Sequence, residues 1–303
     1  MGVLQELEEA TALVAQAAGP AVVGIGQGWG LGSGVVVADG VVLTNAHNVR
    51  GVEVPLTFGD GHTVTAHVSG VDVDGDLAVL TADTAGTPPL EWADGPAGVG
   101  AIVFALANPG GRGLRVTFGQ VSSVDQAFRG PRGRKVTGSL EHTAPMARGS
   151  SGGPVVDADG RLLGLNTNRL GDGFYQALPA DTDLRARVDA LTRGESPTRR
   201  HLGVGLVPGR AARHLRRSVG LPDRDGALVR EIEEDSPAAR AGLRRGDLIV
   251  EAAGRPVATV DDLHSALDGL GAAESLSLGV VRGADDLSVT VSFTGGAREE
   301  GSA

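Results

Sequence analysis

Many short apolar runs, separated by turn residues, constrain the fold of this chain more than any other feature. From about residue 20 to residue 179, Gly, Asp, Asn and Pro interrupt apolar or alternating runs of only a few residues. This spacing is typical of a β-sandwich or β-barrel. We therefore predict a mainly β domain, with strands that include residues 21–25, 34–37, 41–44, 64–68, 77–80, 101–106, 116–124, 155–156 and 162–165.

The hydrophobic period changes near residue 180, where this domain ends. Leu184, Val188 and Leu191 are spaced by four and three residues, which predicts one helix. Polar residues over 194–200 indicate a linker, and residues 201–296 then mix strand and helix signals. The predicted organisation is a helix over 1–18, a β domain over 19–193, the linker, an α+β domain over 201–296 and a disordered tail over 297–303.

Composition limits the possible functions. The 303 residues suggest about two domains, and the absence of cysteine rules out disulfides and thiol chemistry. A net charge of −10 argues against general nucleic-acid binding. No segment reaches the roughly 18 apolar residues of a membrane span, and residues 1–18 lack the pattern of a signal peptide. These features predict a cytoplasmic location for the chain as given, or a periplasmic or other extracytoplasmic one if its start is incomplete.

A serine among glycines is the strongest candidate for chemistry. Ser151 lies in the segment Gly-Ser-Ser-Gly-Gly-Pro, residues 149–154, between two apolar runs. Glycine allows backbone conformations in which two N–H groups point at one place beside a serine hydroxyl. A nucleophile beside such an oxyanion hole is what an acyl-transfer enzyme needs. Taken alone, the segment is equally compatible with a glycine-rich hairpin loop.

A serine nucleophile needs a base and a group that orients the base. His47 follows the apolar run 41–44 at a polar turn, where its ring can face a cleft. Asp76 opens the apolar run 77–80 and is the acid best placed to be buried against a histidine. Asp72 and Asp74 are interpreted as solvated turn acids. Their spacing is similar to that of a calcium loop, but the glycine falls at the wrong place, so no metal is predicted.

Taken in order, these motifs resemble the HtrA/DegP branch of the trypsin-like serine proteases. The resemblance rests on residues 31–37 leading to 43–47, on residues 76–80 and on residues 149–154. It implies a chymotrypsin-like double β-barrel in which His47 is the general base, Asp76 orients it and Ser151 attacks the carbonyl. The backbone N–H groups of Gly149 and Ser151 would form the oxyanion hole. No cofactor is implied.

Two departures from the family pattern lie beside the nucleophile. Ser150 replaces the usual Asn, and Ala147-Arg148 replaces the more usual Asn-Pro. The resemblance also implies a specificity pocket, with its floor near Pro145 and with Met146 and the segment Gly173–Leu178, which contains Ala177, nearby. Because none of the pocket residues is acidic, we expect cleavage after small or medium apolar residues such as Val, Ala or Leu.

The second domain resembles a PDZ domain. The resemblance rests on residues 201–204, 226–229 and 236–249. It implies that a peptide C-terminus pairs with an exposed strand edge and that backbone N–H groups hold its carboxylate. The carboxylate loop would be Leu202-Gly203-Val204, and Leu263 and Leu267 would line the groove. The alternative is that these two leucines are only core residues.

Together the two resemblances imply an ATP-independent serine endopeptidase that acts on unfolded or damaged proteins. The PDZ domain would bind exposed C-termini and bias the protease toward its active state, and the family's homotrimer is implied as the assembly. One alternative is a catalytically silent, protease-like scaffold or holdase. A general esterase is a weaker alternative, because Ser151 lacks the strand-to-helix turn of that class.

Overall fold

The computed structural model describes residues 2–26, 32–131, 134–196, 200–207, 209–270 and 273–293. The chain divides into two compact units, Met1–Pro197 and Thr198–Ala303. The predicted tail over 297–303 and part of the predicted linker lie outside the described residues. No helix in the described ranges is both long and apolar enough to cross a membrane.

The first unit begins with helix α1 (Val3–Ala18), followed by a closed six-stranded barrel. Val14 and Ala18 are the buried residues of α1 and attach it to the hydrophobic core. The strands of the barrel close in the order β1-β2-β3-β6-β5-β4. They are β1 (Val22–Ile25), β2 (Gly32–Ala38), β3 (Val41–Thr44), β4 (Glu53–Thr57), β5 (Thr63–Asp72) and β6 (Leu77–Thr81).

A second six-stranded barrel follows in the same unit. Taken in chain order, its strands close as β7-β8-β9-β12-β11-β10, which is the cyclic order of the first barrel. Closure leaves neither barrel an unpaired edge. The strands are β7 (Ile102–Ala107), β8 (Arg115–Arg129), β9 (Lys135–His142), β10 (Pro154–Val156), β11 (Leu162–Gly171) and β12 (Phe174–Pro179). The predicted double barrel is confirmed.

Helix α2 (Thr182–Thr192) closes the first unit. Asp181 caps it by accepting a hydrogen bond from the backbone N–H of Leu184, 2.8 Å away. Leu184, Val188 and Leu191 are buried, as their spacing predicts for one face of a helix.

The interpretation of Asp72 and Asp74 as solvated turn acids is wrong. Both side chains are buried, and each pairs with an arginine from a distant segment. Arg187 of α2 lies 2.9 Å from Asp72, and Arg134 lies 3.2 Å from Asp74. A buried carboxylate needs such a partner to offset its loss of hydration. The turn that carries these acids is covered by parts of the chain that its local sequence does not reveal.

The second unit is an α+β fold with strand order β13-β14-β15-β17-β18 and β16 paired to β15. Its core packs α5 against the sheet through Leu263, Ala266 and Leu267. Helix α3 was not predicted, because its segment is rich in arginine and poor in apolar residues. The elements are β13 (Val204–Val207), α3 (Gly209–Ser218), β14 (Ala227–Ile232), α4 (Pro237–Arg240), β15 (Leu248–Ala252), β16 (Arg255–Pro256), α5 (Val260–Asp268), β17 (Ser275–Arg282) and β18 (Asp285–Ser292).

Candidate active site

Strand register in the first barrel brings His47 and Asp76 together. Strands β3 and β6 pair with Thr44 opposite Ala78, so the residues that follow β3 meet the residue that precedes β6. His47 lies in a 3-10 turn directly after β3. Asp76 adopts a φ of +53°, which turns the chain sharply into β6.

Asp76 binds the ring of His47, and two other residues hold Asp76 in place. His47 Nδ1 lies 2.9 Å from both carboxylate oxygens of Asp76, and the His47 backbone N–H donates to Oδ1 at 3.2 Å. Asn45 Nδ2 donates to the backbone carbonyl of Asp76 at 2.9 Å, and Thr167 Oγ1 donates to Asp76 Oδ2 at 2.5 Å. A carboxylate at Nδ1 favours the tautomer with hydrogen on that nitrogen, which leaves Nε2 free to accept a proton.

Ser151 lies on the other side of Thr167. Its hydroxyl donates to the Thr167 backbone carbonyl at 2.9 Å, while the Thr167 side chain binds Asp76. Among the described residues, no hydrogen bond joins Ser151 to His47. The Ser151 hydroxyl is therefore bonded to the Thr167 carbonyl and not to the predicted base.

Two side chains of the first barrel hold the nucleophile loop, and we call Ser33 and Asn48 the clamp. Ser33 donates from its backbone N–H to the Ser151 carbonyl at 2.9 Å and from its hydroxyl to the Gly149 carbonyl at 2.8 Å. Asn48 Nδ2 donates to the same Ser151 carbonyl at 2.9 Å. The approach is so close that a Cβ on Gly152 would lie 2.1 Å from the Ser33 carbonyl oxygen. Only glycine fits at that position.

The backbone N–H groups of this loop alternate between paired and available. Ser150 donates to the Ala147 carbonyl, and Gly152 donates to Asn166 at 2.7 Å. The N–H groups of Gly149 and Ser151, the two predicted donors, bond to no group in the described part of the chain. Gly149 has a φ of +85° that favours glycine. These two N–H groups are available to bind an oxyanion.

A cavity of about 370 Å³ lies beside this loop. Three walls form it: β7 and β8, β11 and β12, and the chain leading to Ser151. Its lining residues are Ala105, Leu106, Ala107, Arg115, Thr117, Pro145, Met146, Ala147, Ser150, Asn166, Arg169 and Tyr175.

The cavity contains only part of the predicted specificity pocket. Pro145, Met146 and, from the segment Gly173–Leu178, Tyr175 line it, whereas Gly173 and Ala177 do not. Gly173 lies between β11 and β12 with a φ of +86°, and Ala177 is fully buried in the core of the second barrel. The contributions of Arg115 and Arg169 were missed, because their strands meet the loop only in the folded barrel.

A buried histidine, His142, contacts a residue that lines the cavity. His142 is fully buried, and its Nε2 lies 3.0 Å from Asn166 Oδ1. Burial lowers the pKa of His142 to about 4, and the hydrogen bond to Asn166 opposes this effect only in part. His142 Nδ1 has no hydrogen-bond partner in the described ranges. The ring is therefore neutral near pH 7 and donates from Nε2 to Asn166.

In the second unit, the predicted carboxylate loop leads into edge strand β13. Gly203 has a φ of +76°, and a Cβ there would lie 2.2 Å from Ser236 Cβ. Leu202 is buried, and Val204 begins β13. Leu263 and Leu267 are 1% and 5% exposed and belong to the hydrophobic core.

Comparison with known proteins gives two domain matches. The profile of the trypsin-like peptidase domain matches residues 32–165, and that of the PDZ domain matches residues 201–293. A putative serine protease, HhoA from Synechocystis, is 33% identical over 278 residues, which are 86% of this chain and 70% of the relative. The chain belongs to the HtrA/DegP family of trypsin-like serine proteases. The resemblance stated from the motifs is confirmed.

Other members of the HtrA/DegP family agree with this assignment. A probable periplasmic serine endoprotease, DegP-like, from Halomonas elongata is 33% identical over 86% of this chain but only 56% of its own length. The chain thus spans little more than half of that relative. Among solved structures, the HtrA-type protease AlgW with a decapeptide matches with a TM-score of 0.64 and 25% identity, covering 93% of this chain and 97% of AlgW. The serine endoprotease from Yersinia pestis matches with a TM-score of 0.61 at 25% identity, covering 93% and 96%.

Proposed function

We propose that this protein is a serine endopeptidase that hydrolyses peptide bonds in unfolded or damaged polypeptides. One observation carries the proposal: Asp76 binds His47 Nδ1, and the loop of Ser151 has two available backbone N–H groups. Acyl transfer to a serine needs a base, a group that orients the base, a nucleophile and an oxyanion hole. A scaffold without activity needs none of these groups.

The reaction follows from the positions of these groups. Ser151 Oγ attacks the substrate carbonyl while His47 Nε2 takes the hydroxyl proton, and Asp76 stabilises the imidazolium that forms. The negative charge on the carbonyl oxygen is bound by the N–H groups of Gly149 and Ser151. Loss of one such donor typically lowers kcat by about 100- to 1000-fold. His47 then protonates the leaving amine, and water attacks the acyl-enzyme by the same route.

The cavity supports an apolar preference at the cleavage site. Ala105, Ala107, Pro145, Met146 and Ala147 give it apolar walls, and no lining residue is acidic. A Lys or Arg side chain of the substrate would therefore find no counter-charge. Cleavage after Val, Ala or Leu remains our prediction, and a peptide library dominated by cleavage after Arg or Lys would overturn it.

We further propose that the second unit binds peptide C-termini by strand addition. Strand β13 is the outer strand of its sheet, and Gly203 provides the tight backbone turn ahead of it. The solved AlgW structures include complexes with a decapeptide and a tripeptide, which supports peptide binding in this fold. The family also supports a homotrimer. The relatives named as periplasmic support an extracytoplasmic location.

A second candidate function has one observation in its favour. The Ser151 hydroxyl donates to Thr167 rather than to His47, as in a protein that holds its serine inactive. This arrangement favours a silent scaffold or holdase, unless a substrate or a bound peptide moves the hydroxyl to His47.

Serine-directed labelling tests the two functions. The full chain is treated with a fluorophosphonate probe, with and without added C-terminal peptides, and a casein digest is followed in parallel. We expect labelling and digestion that Ser151→Ala abolishes and that Ser122→Ala, a change at a serine that does not line the cavity, retains. If no Ser151-dependent labelling occurs at any temperature or peptide concentration, the scaffold is favoured.

A further inference from the structure

Two arginines from separate strands meet in the cavity beside the nucleophile. Arg115 is the first residue of β8, and Arg169 lies near the end of β11. Both line the cavity together with Ala147 and Ser150, and no Asp or Glu lines it. The cavity thus gathers two positive charges without a carboxylate to balance them.

Neither guanidinium makes an ion pair or hydrogen bond with any group in the described residues. Other arginines of the same unit do: Arg134 pairs with Asp74, Arg187 with Asp72 and Arg161 with Asp94. The sequence holds 37 acidic residues against 27 basic ones, so carboxylates are in excess. An anionic ligand in this cavity would find two positive charges that no carboxylate of the described residues already neutralises.

One of the two arginines is already held in place. The Arg169 guanidinium carbon lies 5.7 Å from the centroid of the Tyr175 ring, within the range of a cation–π contact. Such a contact restricts the side chain while leaving its N–H groups free to bind a carboxylate. Arg115 shares its side of β8 with Thr117, whose hydroxyl donates to the Pro145 carbonyl at 2.7 Å. The wall that carries Arg115 is thereby tied to the nucleophile loop.

The cavity is close to the reacting atoms. Ser150, which lines it, directly precedes the nucleophile. Arg169 follows Thr167 by two residues, and the Thr167 carbonyl accepts the Ser151 hydroxyl. We therefore expect a polypeptide whose scissile carbonyl lies at Ser151 to pass along this cavity.

We propose that the guanidinium groups of Arg115 and Arg169 bind a substrate carboxylate next to the cleavage site. The carboxylate belongs either to an Asp or Glu side chain or to the substrate's own C-terminus. The apolar walls take the apolar side chain at the cleavage site, and the exposed arginines take the neighbouring negative charge. This inference rests on the proposed protease function and names a substrate class for it.

Matched fluorogenic peptides test the proposal. Each peptide keeps Val at the cleavage site and carries Glu or Gln at one of the three positions on either side, as a free acid and as an amide. We expect one or two Glu peptides to have a kcat/KM about tenfold above that of their Gln partners at low salt, since arginine–carboxylate hydrogen bonds are charge-assisted. The preference should shrink in 1 M NaCl, where the screening length falls to about 3 Å.

Variants of the full chain test whether Arg115 and Arg169 cause the preference for Glu peptides. In Arg115→Gln/Arg169→Gln the preference should fall to about twofold or less, because the kcat/KM of the Glu peptides falls more than that of the Gln peptides. Arg193→Gln is the matched control, because Arg193 makes only an exposed ion pair with Glu195 and does not line the cavity. If kcat/KM depends more on whether the peptide is a free acid or an amide than on the position of Glu, the arginines bind the terminal carboxylate, and the inference is supported. Equal cleavage of Glu and Gln peptides, with no effect of amidation, overturns the inference, as does a preference that survives in the double variant.

A binding measurement separates this inference from the proposed function. Fluorescence anisotropy of the same peptides, carrying a neutral fluorophore, is measured with Ser151→Ala and with Ser151→Ala/Arg115→Gln/Arg169→Gln. Tighter binding of the carboxylate peptides that needs both arginines supports the site even if the wild type cleaves nothing, in which case the protease proposal fails. Cleavage without any carboxylate preference leaves the protease proposal intact and removes this inference.

Discussion

The two halves of the candidate active site are held in different ways. The acid–base half, His47 and Asp76, lies within one barrel, where the pairing of β3 with β6 brings the two residues together. The nucleophile half, residues 149–153, is held by the clamp, which reaches it from the other barrel. Backbone register is difficult to change, whereas two of the three hydrogen bonds of the clamp come from side chains and can be removed without changing strand pairing. We therefore expect the proposed activity to be tuned more easily through the nucleophile half.

The largest expected effect comes from breaking the acid–base half. Asp76→Asn keeps the shape of the side chain but replaces one acceptor by a donor, which favours the wrong tautomer of His47. We expect kcat to fall about 10,000-fold, as for the same change in other triads of this kind. The measurement is turnover of a fluorogenic peptide, with thermal unfolding as the check on folding. A loss below tenfold would show that Asp76 does not orient the base.

The next largest effect concerns the free energy of unfolding and comes from His142, which contacts Asn166 in the cavity wall. Its pKa is lowered from 6.5 to about 4 in the folded protein, so the unfolded chain binds more protons between these values. Its stabilising contribution is complete above about pH 6.5 and is lost as the pH falls through about 4. At about 1.4 kcal/mol per pH unit the loss amounts to about 3 kcal/mol.

Urea unfolding of the wild type and of His142→Gln at pH 7 and pH 4.5 measures this contribution. The glutamine stays neutral and can still donate to Asn166. We expect the variant to lose less free energy of unfolding than the wild type over this range. Equal losses in the two proteins would assign the pH dependence to other groups.

Ser33→Ala tests the clamp itself. The change removes the hydrogen bond to the Gly149 carbonyl and the acceptor of the Asn108 backbone N–H, 3.0 Å away, and it leaves the backbone N–H that binds Ser151 in place. Misplacement of the loop should lower kcat by up to about 100-fold with little change in KM, because proximity effects depend steeply on distance. The pH profile of kcat/KM should keep its shape, since His47 and Asp76 are untouched. Ser122→Ala, which removes a hydroxyl bonded to Glu141, serves as the control.

Asn48→Leu should have the smallest effect of the four. The Ser151 carbonyl keeps its bond from the Ser33 backbone and loses one of its two hydrogen bonds, while Thr44 Oγ1 loses the bond that Asn48 Nδ2 donates at 3.0 Å. A net value of about 1 kcal/mol for such a bond corresponds to about a fivefold slower reaction with a fluorophosphonate. If the labelling rate is unchanged while that of Ser33→Ala falls, the clamp consists of Ser33 alone.

Local sequence patterns were sufficient for the fold class and for candidate catalytic residues. Strand length and turn residues indicated the β domain, and helical spacing indicated α2. They were insufficient for the environment of individual side chains. Asp72 and Asp74 were assigned to solvent but are buried against arginines. Both errors concern packing between segments far apart in the chain.

The sequence by itself determined the strand pattern, the two domains and the order of the His, Asp and Ser motifs, because each depends on neighbouring residues. Only the tertiary structure decided which N–H groups stay available, what holds the nucleophile loop and which charges share its cavity. Ser33 reaches Gly149 across 116 positions of the chain, and Thr167 reaches Asp76 across 91. Contacts at such separations form only when both barrels close, so no local pattern encodes them.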